Sequence, residues 1–193
     1  MAERGSGAGD DDAEVRLRAA TIGEVTVLDG PIHLAGHDSA WSRAFAAEAD
    51  RVVGVLRERA LLIEHVGSTA VPGLAAKPII DMVLAVADSA NEPAYVPDME
   101  SAGYVLRIRE PDWYQHRLFR RTGAAINLHV FSRGCEEIDR MLRFRDHLRT
   151  DRTDRELYEQ TKFALARRTW RYTQSYADAK TEVVEQILAR ALR

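Results

Sequence analysis

Between Ile63 and Val86 the chain reads IEHVGSTAVPGLAAKPIIDMVLAV. Two apolar runs, each of the length of a buried strand, flank a loop rich in Gly and Pro that carries a single lysine, Lys77. The second run opens on a carboxylate, Asp81. An ionised carboxylate at the head of a strand about to be buried must meet a charged partner, because unpaired burial favours the neutral acid and destabilises the fold. The chain must therefore build a strand–loop–strand unit whose loop and second strand face a polar cleft. The partner of Asp81 is either a divalent metal or a cation such as Lys77 or a C-terminal Arg.

The loop has the chemistry for such a cleft. Gly67-Ser68 directly after a strand lets the backbone approach a ligand with no Cβ in the way. The Ser68 and Thr69 hydroxyls and the turn N–H groups can hold phosphate oxygens, and Lys77 adds a point charge. A carboxylate facing a triphosphate needs Mg²⁺ or Mn²⁺ between them, which casts Asp81 as a metal ligand.

The rest of the chain predicts an α+β arrangement. Residues 22–35 carry two short strand-like patterns around Asp29-Gly30-Pro31. Asp38 or Ser39 caps a helix to about Arg59, with Trp41, Phe45, Ala49, Val52, Val53 and Leu56 on its apolar face. Strands follow at 61–66 and 79–86, a short helix at 92–102, and strands at 104–109, 115–121 and 125–131. From Glu136 onward the pattern is helical, over about 136–149, 153–170 and 173–192.

Several residues carry two readings. His129 alternates with Leu128 and Val130, so it faces the cleft if those two fill the core. His116 and Arg120 share one face of their strand. His65 adjoins the turn and can orient it. Tyr158 with Lys162, and Tyr176 with Lys180, sit at i and i+4, where a ring packs on an alkyl stem. Only three of 27 basic residues are lysines, Lys77, Lys162 and Lys180, so each is a candidate for a site that wants a compact ammonium.

Val66-Gly67-Ser68 and then, after twelve intervening residues, Asp81 resemble the nucleotidyltransferase signature of a Gly-Ser turn followed by an acidic strand head. In detail HVGSTAVPGLAAKPIID is similar to the signature of the GrpB family. HDSAW at 37–41, NLHV at 127–130 (Asn127 departing from the family's HLHV) and FRDHLR at 144–149 extend the likeness over residues 31–190. The resemblance implies a nucleotidyltransferase-like mixed β-sheet flanked by helices, with a helical C-terminal third. It implies a phosphate or nucleotide site at Gly67, Ser68, Thr69, Lys77, Arg120, Arg145, Lys162 and Lys180, with Asp81 and His129 as catalytic and metal-binding groups. Two functions follow from it: transfer of a nucleotidyl group from an NTP to an acceptor, or a non-catalytic nucleotide or phosphate-ligand module. Fusion of the family's domain to dephospho-CoA kinase suggests an accessory role or CoA-type ligands. Two departures bear on the first. Val83 stands where a second carboxylate is usual, and Asn127 and His129 stand on the strand that would bring the third. One carboxylate and one imidazole do not make the usual two-Mg²⁺ site.

Composition narrows the partners. A net charge of −3 argues against a nucleic-acid footprint, although residues 140–171 hold nine Arg and one Lys against five acidic residues. The apolar runs are too short to span a membrane. One cysteine, Cys135, excludes an internal disulfide and suits the cytoplasm. Residues 1–20, Gly-rich and acidic, read as a disordered lead before a single domain at 21–193. No long heptad run signals a dimer.

Overall fold

The computed structural model describes residues 7–28 and 30–192. The chain enters through helix α1 (Gly7–Ala20), crosses an extended arm, and forms α2 (Ala40–Leu56). Strands β1 (Leu62–Val66) and β2 (Ile80–Val86) flank the loop, and α3 (Val96–Ser101) leads to β3 (Tyr104–Glu110), β4 (His116–Arg121) and β5 (Ile126–Ser132). Four helices close the chain: α4 (Glu136–Thr150), α5 (Arg152–Ala166), α6 (Thr173–Asp178) and α7 (Thr181–Ala191). The five strands form one mixed sheet in the order β1-β2-β5-β4-β3. Only β2 and β5 run parallel; the chain between them makes the crossover through α3 and the β3–β4 hairpin.

Alternation along the strands assigns the two faces. Met82, Leu84, Leu128, Val130 and Phe119 point to one side and pack with Trp41, Val52, Leu56 and Met99 of α2 and α3. On the other side Val83, Ala85 and Phe131 are covered by Ile138 of α4, which leaves Asp81 and Asn127 at the uncovered end of the same face. A second cluster ties the loop residues Val71 and Leu74 to Leu148, Tyr158, Val183 and Ile187, so α4, α5 and α7 pack on the loop, and α4 also covers the sheet. Among the described residues no helix is long and apolar enough to cross a membrane.

The structure departs from the sequence expectations at four places. Residues 7–20 are helical, where a disordered lead was expected; the Ala, Leu, Arg and Glu of this stretch favour a helix, and the Arg18–Glu14 and Arg171–Glu14 pairs hold its last turns. Residues 1–6 of that expectation lie outside the described residues. The arm at 22–35 makes isolated bridges, Val27 to Tyr172 and Ala35 to Ala76, in place of strands, because its neighbours are a helix junction and a loop. Val53, expected on the buried face of α2, is 44% exposed. The C-terminal pattern is interrupted: α5 ends at Ala166, and the helix expected over 173–192 breaks at Ala179-Lys180.

Candidate functional site

One transverse row of the sheet defines the site. Val66 of β1 pairs with Asp81 of β2, Asp81 with Asn127 of β5, and Asn127 with Arg120 of β4. Asn127 Nδ2 donates to Asp81 Oδ1 at 2.9 Å. Gly67, at φ +69, lies against the other carboxylate oxygen: a Cβ there would fall 2.7 Å from Asp81 Oδ2. The glycine is thus required twice, by its backbone and by the carboxylate it faces. Above this row opens a cavity of about 510 Å³, lined by the Gly67–Thr69 turn, Lys77, Asp81, Arg120, Asn127 and His129, and by Lys162 and Lys180 from the C-terminal helices. Apolar and aromatic side chains also line it, among them Phe144, Tyr158, Tyr176, Leu17 of α1 and Leu34 of the arm.

The electrostatics are those of a crowded cationic pocket. Burial pushes the Asp81 carboxyl up, opposed by the Asn127 hydrogen bond and by the charges of Lys180 and Lys77. Burial lowers Lys77, and it lowers Lys180 to about 8; Asp81 favours the protonated form of both, while Arg120 works against it at Lys77 and Lys77 works against it at Lys180. The Lys180 ammonium stands over the Tyr176 ring, 4.4 Å from its centroid. The Tyr176 hydroxyl is buried with no hydrogen-bond partner among the described residues.

Other candidates hold the loop. Lys162 is 2% exposed and donates to the Ala75 carbonyl, while Glu159, one turn earlier on α5, accepts from Ala75 N–H at 2.7 Å. Burial lowers Lys162 to about 7. Thr69 Oγ donates to the Ile79 carbonyl at 3.1 Å, which leaves it to accept from His65 Nε2 at 3.0 Å. His65 stacks on Phe45 and is held neutral by burial, its pKa down to about 4. It orients the turn. Ser68 stands beside the buried Tyr158 hydroxyl.

Nine of the ten residues singled out in the sequence line the cavity; Arg145 does not. Its guanidinium is buried behind β1, donating to Glu64 Oε2 at 2.7 Å, to the His65 carbonyl at 2.9 Å and to Asp146. The Phe-Arg-Asp run of α4 braces the first strand and leaves no free charge for a ligand.

His129, facing the cavity from β5, takes part in a chain that sequence reading missed. His116 Nε2 lies 3.0 Å from His129 Nδ1, and His116 Nδ1 lies 2.7 Å from Glu110 Oε2. Burial, aided by His116, drives the His129 pKa down to about 3. The contact joins three consecutive strands, and a shift of register between Leu106 and Ile108 sets where Glu110 falls. His116 and Arg120 do share a strand face, as the alternation indicated, and that was the available signal.

The donor set does not fit a pair of Mg²⁺ ions. Asp81 is the one carboxylate on the row, one of its oxygens is bound by an amide N–H, and two ammonium groups act on it. Val83 lies fully buried beneath α4, so no carboxylate could be presented from its position without opening that packing. Asp81 and His129 together therefore do not make a two-Mg²⁺ site. Among the described residues His147, Asp151 and Asp154 make a tight trio of metal-ligating type, at the α4–α5 junction. Arg190 and His147 already pair with Asp154, and Asp151 caps α5 by accepting from Asp154 N–H, so the trio is an ion-pair and capping network.

A family model described as GrpB protein matches residues 31–190. The chain is 54% identical over 175 residues to the UPF0157 protein BH1888 of Halalkalibacterium halodurans, covering 91% of this chain and 90% of that one. It is 42% identical to the UPF0157 protein SCO7215 of Streptomyces coelicolor, over 90% of this chain and 94% of the other. A shorter match, 38% identical over 85 residues, falls in a dephospho-CoA kinase of Mycolicibacterium paratuberculosis, covering 40% of this chain and 20% of that protein. Among solved structures, the conserved protein GrpB from Enterococcus faecalis superposes with a TM-score of 0.70 at 29% identity, covering 83% of this chain and 97% of that one.

Proposed function

This chain belongs to the GrpB family, and from that premise and the cation-lined cavity we propose that it binds a phosphate-bearing small molecule, of nucleotide type, at the Gly67-Ser68 turn. The observation that carries the reading is the balance of charge beside the row: Lys77 and Lys180 both act on the Asp81 carboxylate and Arg120 stands near Lys77, an excess of positive charge that an anion would neutralise. The turn adds N–H groups and the Ser68 hydroxyl for phosphate oxygens, and Asn127 occupies one oxygen of the Asp81 carboxylate beside it. The aromatic and apolar part of the lining, with the unpartnered Tyr176 hydroxyl, suits the nucleoside end of such a ligand. The match to a dephospho-CoA kinase supports the same ligand class.

Two-metal transfer of a nucleotidyl group is the weaker reading, because the donor set lacks the carboxylates for it. Calorimetry with ATP and with inorganic triphosphate, each with and without Mg²⁺, tests the choice. Binding is expected in both conditions, and Lys77→Ala is expected to weaken it by about 1–3 kcal/mol, the scale of a hydrogen bond to a charged group. Equal affinity of wild type and variant rejects the site. Binding only with Mg²⁺, with pyrophosphate released, restores the transferase.

A further inference from the structure

The cavity holds a base that anion binding alone does not use. An ionised Glu110 can only accept, so His116 donates to it from Nδ1. Neutral His116 then carries a lone pair at Nε2, and His129 must donate to that lone pair from Nδ1. What remains on His129 is Nε2, unprotonated, on a side chain that lines the cavity. The chain fixes both tautomers and runs from the cavity to a carboxylate whose side chain is 37% exposed.

We propose that His129, backed by His116 and Glu110, is a general base that takes the proton of an O–H group, either a hydroxyl of the bound phosphate ester or a water beside it. The proposal rests on the cavity being the ligand site. In the step the ligand O–H bond breaks and an N–H bond forms at His129 Nε2. The Nδ1 proton of His129 passes to His116 Nε2. The positive charge comes to rest on His116 against Glu110, and the negative charge stays on the oxygen, among Lys77, Arg120 and Lys180.

The relay answers the objection that burial raises. His129 is a poor base by itself, since its own cation would be desolvated. Through the relay it is neutral before and after the transfer. The cation forms where it is best received: Glu110 bonds His116 from β3, and Glu137 of α4 is also within electrostatic reach, itself paired with Arg140. Phe131 stacks on the His116 ring at 4.8 Å and Trp113 meets it edge-on at 5.2 Å, which fixes the ring in place. His116 and Glu110 are thus positioning residues, and His129 is the group that would touch ligand.

The test uses the full chain and a small electrophile. Diethyl pyrocarbonate acylates unprotonated imidazole, and mass mapping separates His129 from the exposed His33 and His37. His129 is expected to react at pH 7 and to be protected by inorganic triphosphate. Glu110→Gln, which keeps the shape, and His116→Phe, which keeps the ring between Phe131 and Trp113, should each slow its reaction about ten-fold, equivalent to one unit of basicity. His33 and His37 should keep their rates. Nitrogen-15 NMR should show the Nδ1–H tautomer at His129. An unreactive His129, a rate indifferent to both variants, or an Nε2–H tautomer overturns the relay. Reaction without protection by triphosphate counts against the phosphate site, while the comparison of variants still judges the relay.

Discussion

Gly67 and Asp81 face each other so closely that the site depends on a missing side chain. Gly67 combines φ +69 with ψ −171, a region open essentially to glycine alone, and a Cβ would meet the carboxylate at 2.7 Å. Gly67→Ala should therefore cost about 1–3 kcal/mol in denaturant melts and weaken triphosphate binding in calorimetry. Asp81→Asn separates the two accounts of the carboxylate. If Lys77 and Lys180 are its partners, the substitution lowers stability by about 1–3 kcal/mol and tightens anion binding, because a negative charge leaves an anion site. If a metal were the partner, binding would vanish. The need for a charged partner could be read from Asp81 in sequence; which partner could not. Asn127 read there as a lost carboxylate, and only the register across β2, β5 and β4 shows the amide holding Asp81 while Arg120 stands beyond it. Arg145 carries the reverse lesson, since a basic residue in a family motif proved to be a buried brace.

At the scale of elements, the break between α6 and α7 places Lys180. A continuous helix over 173–192 would carry it past the cavity along one straight axis; the turn at Ala179-Lys180 ends α6 with Tyr176 under the ammonium and starts α7 anew. Helical periodicity continues across the junction, so this break was not legible. The N-terminal arm is the other element that sequence misjudged. Leu17 and Thr21 line the cavity, Thr21 bridges to Ile108, and Ile22 N–H donates to the Arg107 carbonyl at 2.8 Å. Val15, by contrast, is 65% exposed, and no residue from Glu14 to Ala20 is fully buried. A chain truncated at residue 20 is expected to melt within a few degrees of full length yet to bind ATP more weakly, with affinity for inorganic triphosphate less affected because Leu17 belongs to the apolar lining. A large fall in melting temperature would show that α1 is part of the core.

For the molecule as a whole, buried neutral histidines set the acid side of stability. The unfolded chain protonates His65 near pH 6.5, whereas the folded chain resists until about pH 4. The unfolded state therefore binds more protons throughout that window, and stability falls as pH drops through it. Melting temperatures recorded from pH 7 to pH 4 should decline, and His65→Gln, which does not titrate, should flatten the decline. The strands, the main helices and the position of the cavity loop were readable from alternation, helical spacing and Gly-Pro punctuation. The Glu110–His116–His129 chain was not, because it depends on a register shift within a hairpin. One feature of the loop bears on how the protein is made. Ala75 is gripped through its N–H and carbonyl by Glu159 and Lys162, which lie 84 and 87 residues later in the chain. A growing polypeptide on the ribosome can pair β1 with β2 long before those residues are synthesised, but its cavity loop stays unclamped until α5 has emerged, and Lys180 arrives later still. Translation thus yields a sheet first and a ligand-competent pocket only after α5 and Lys180 have been made.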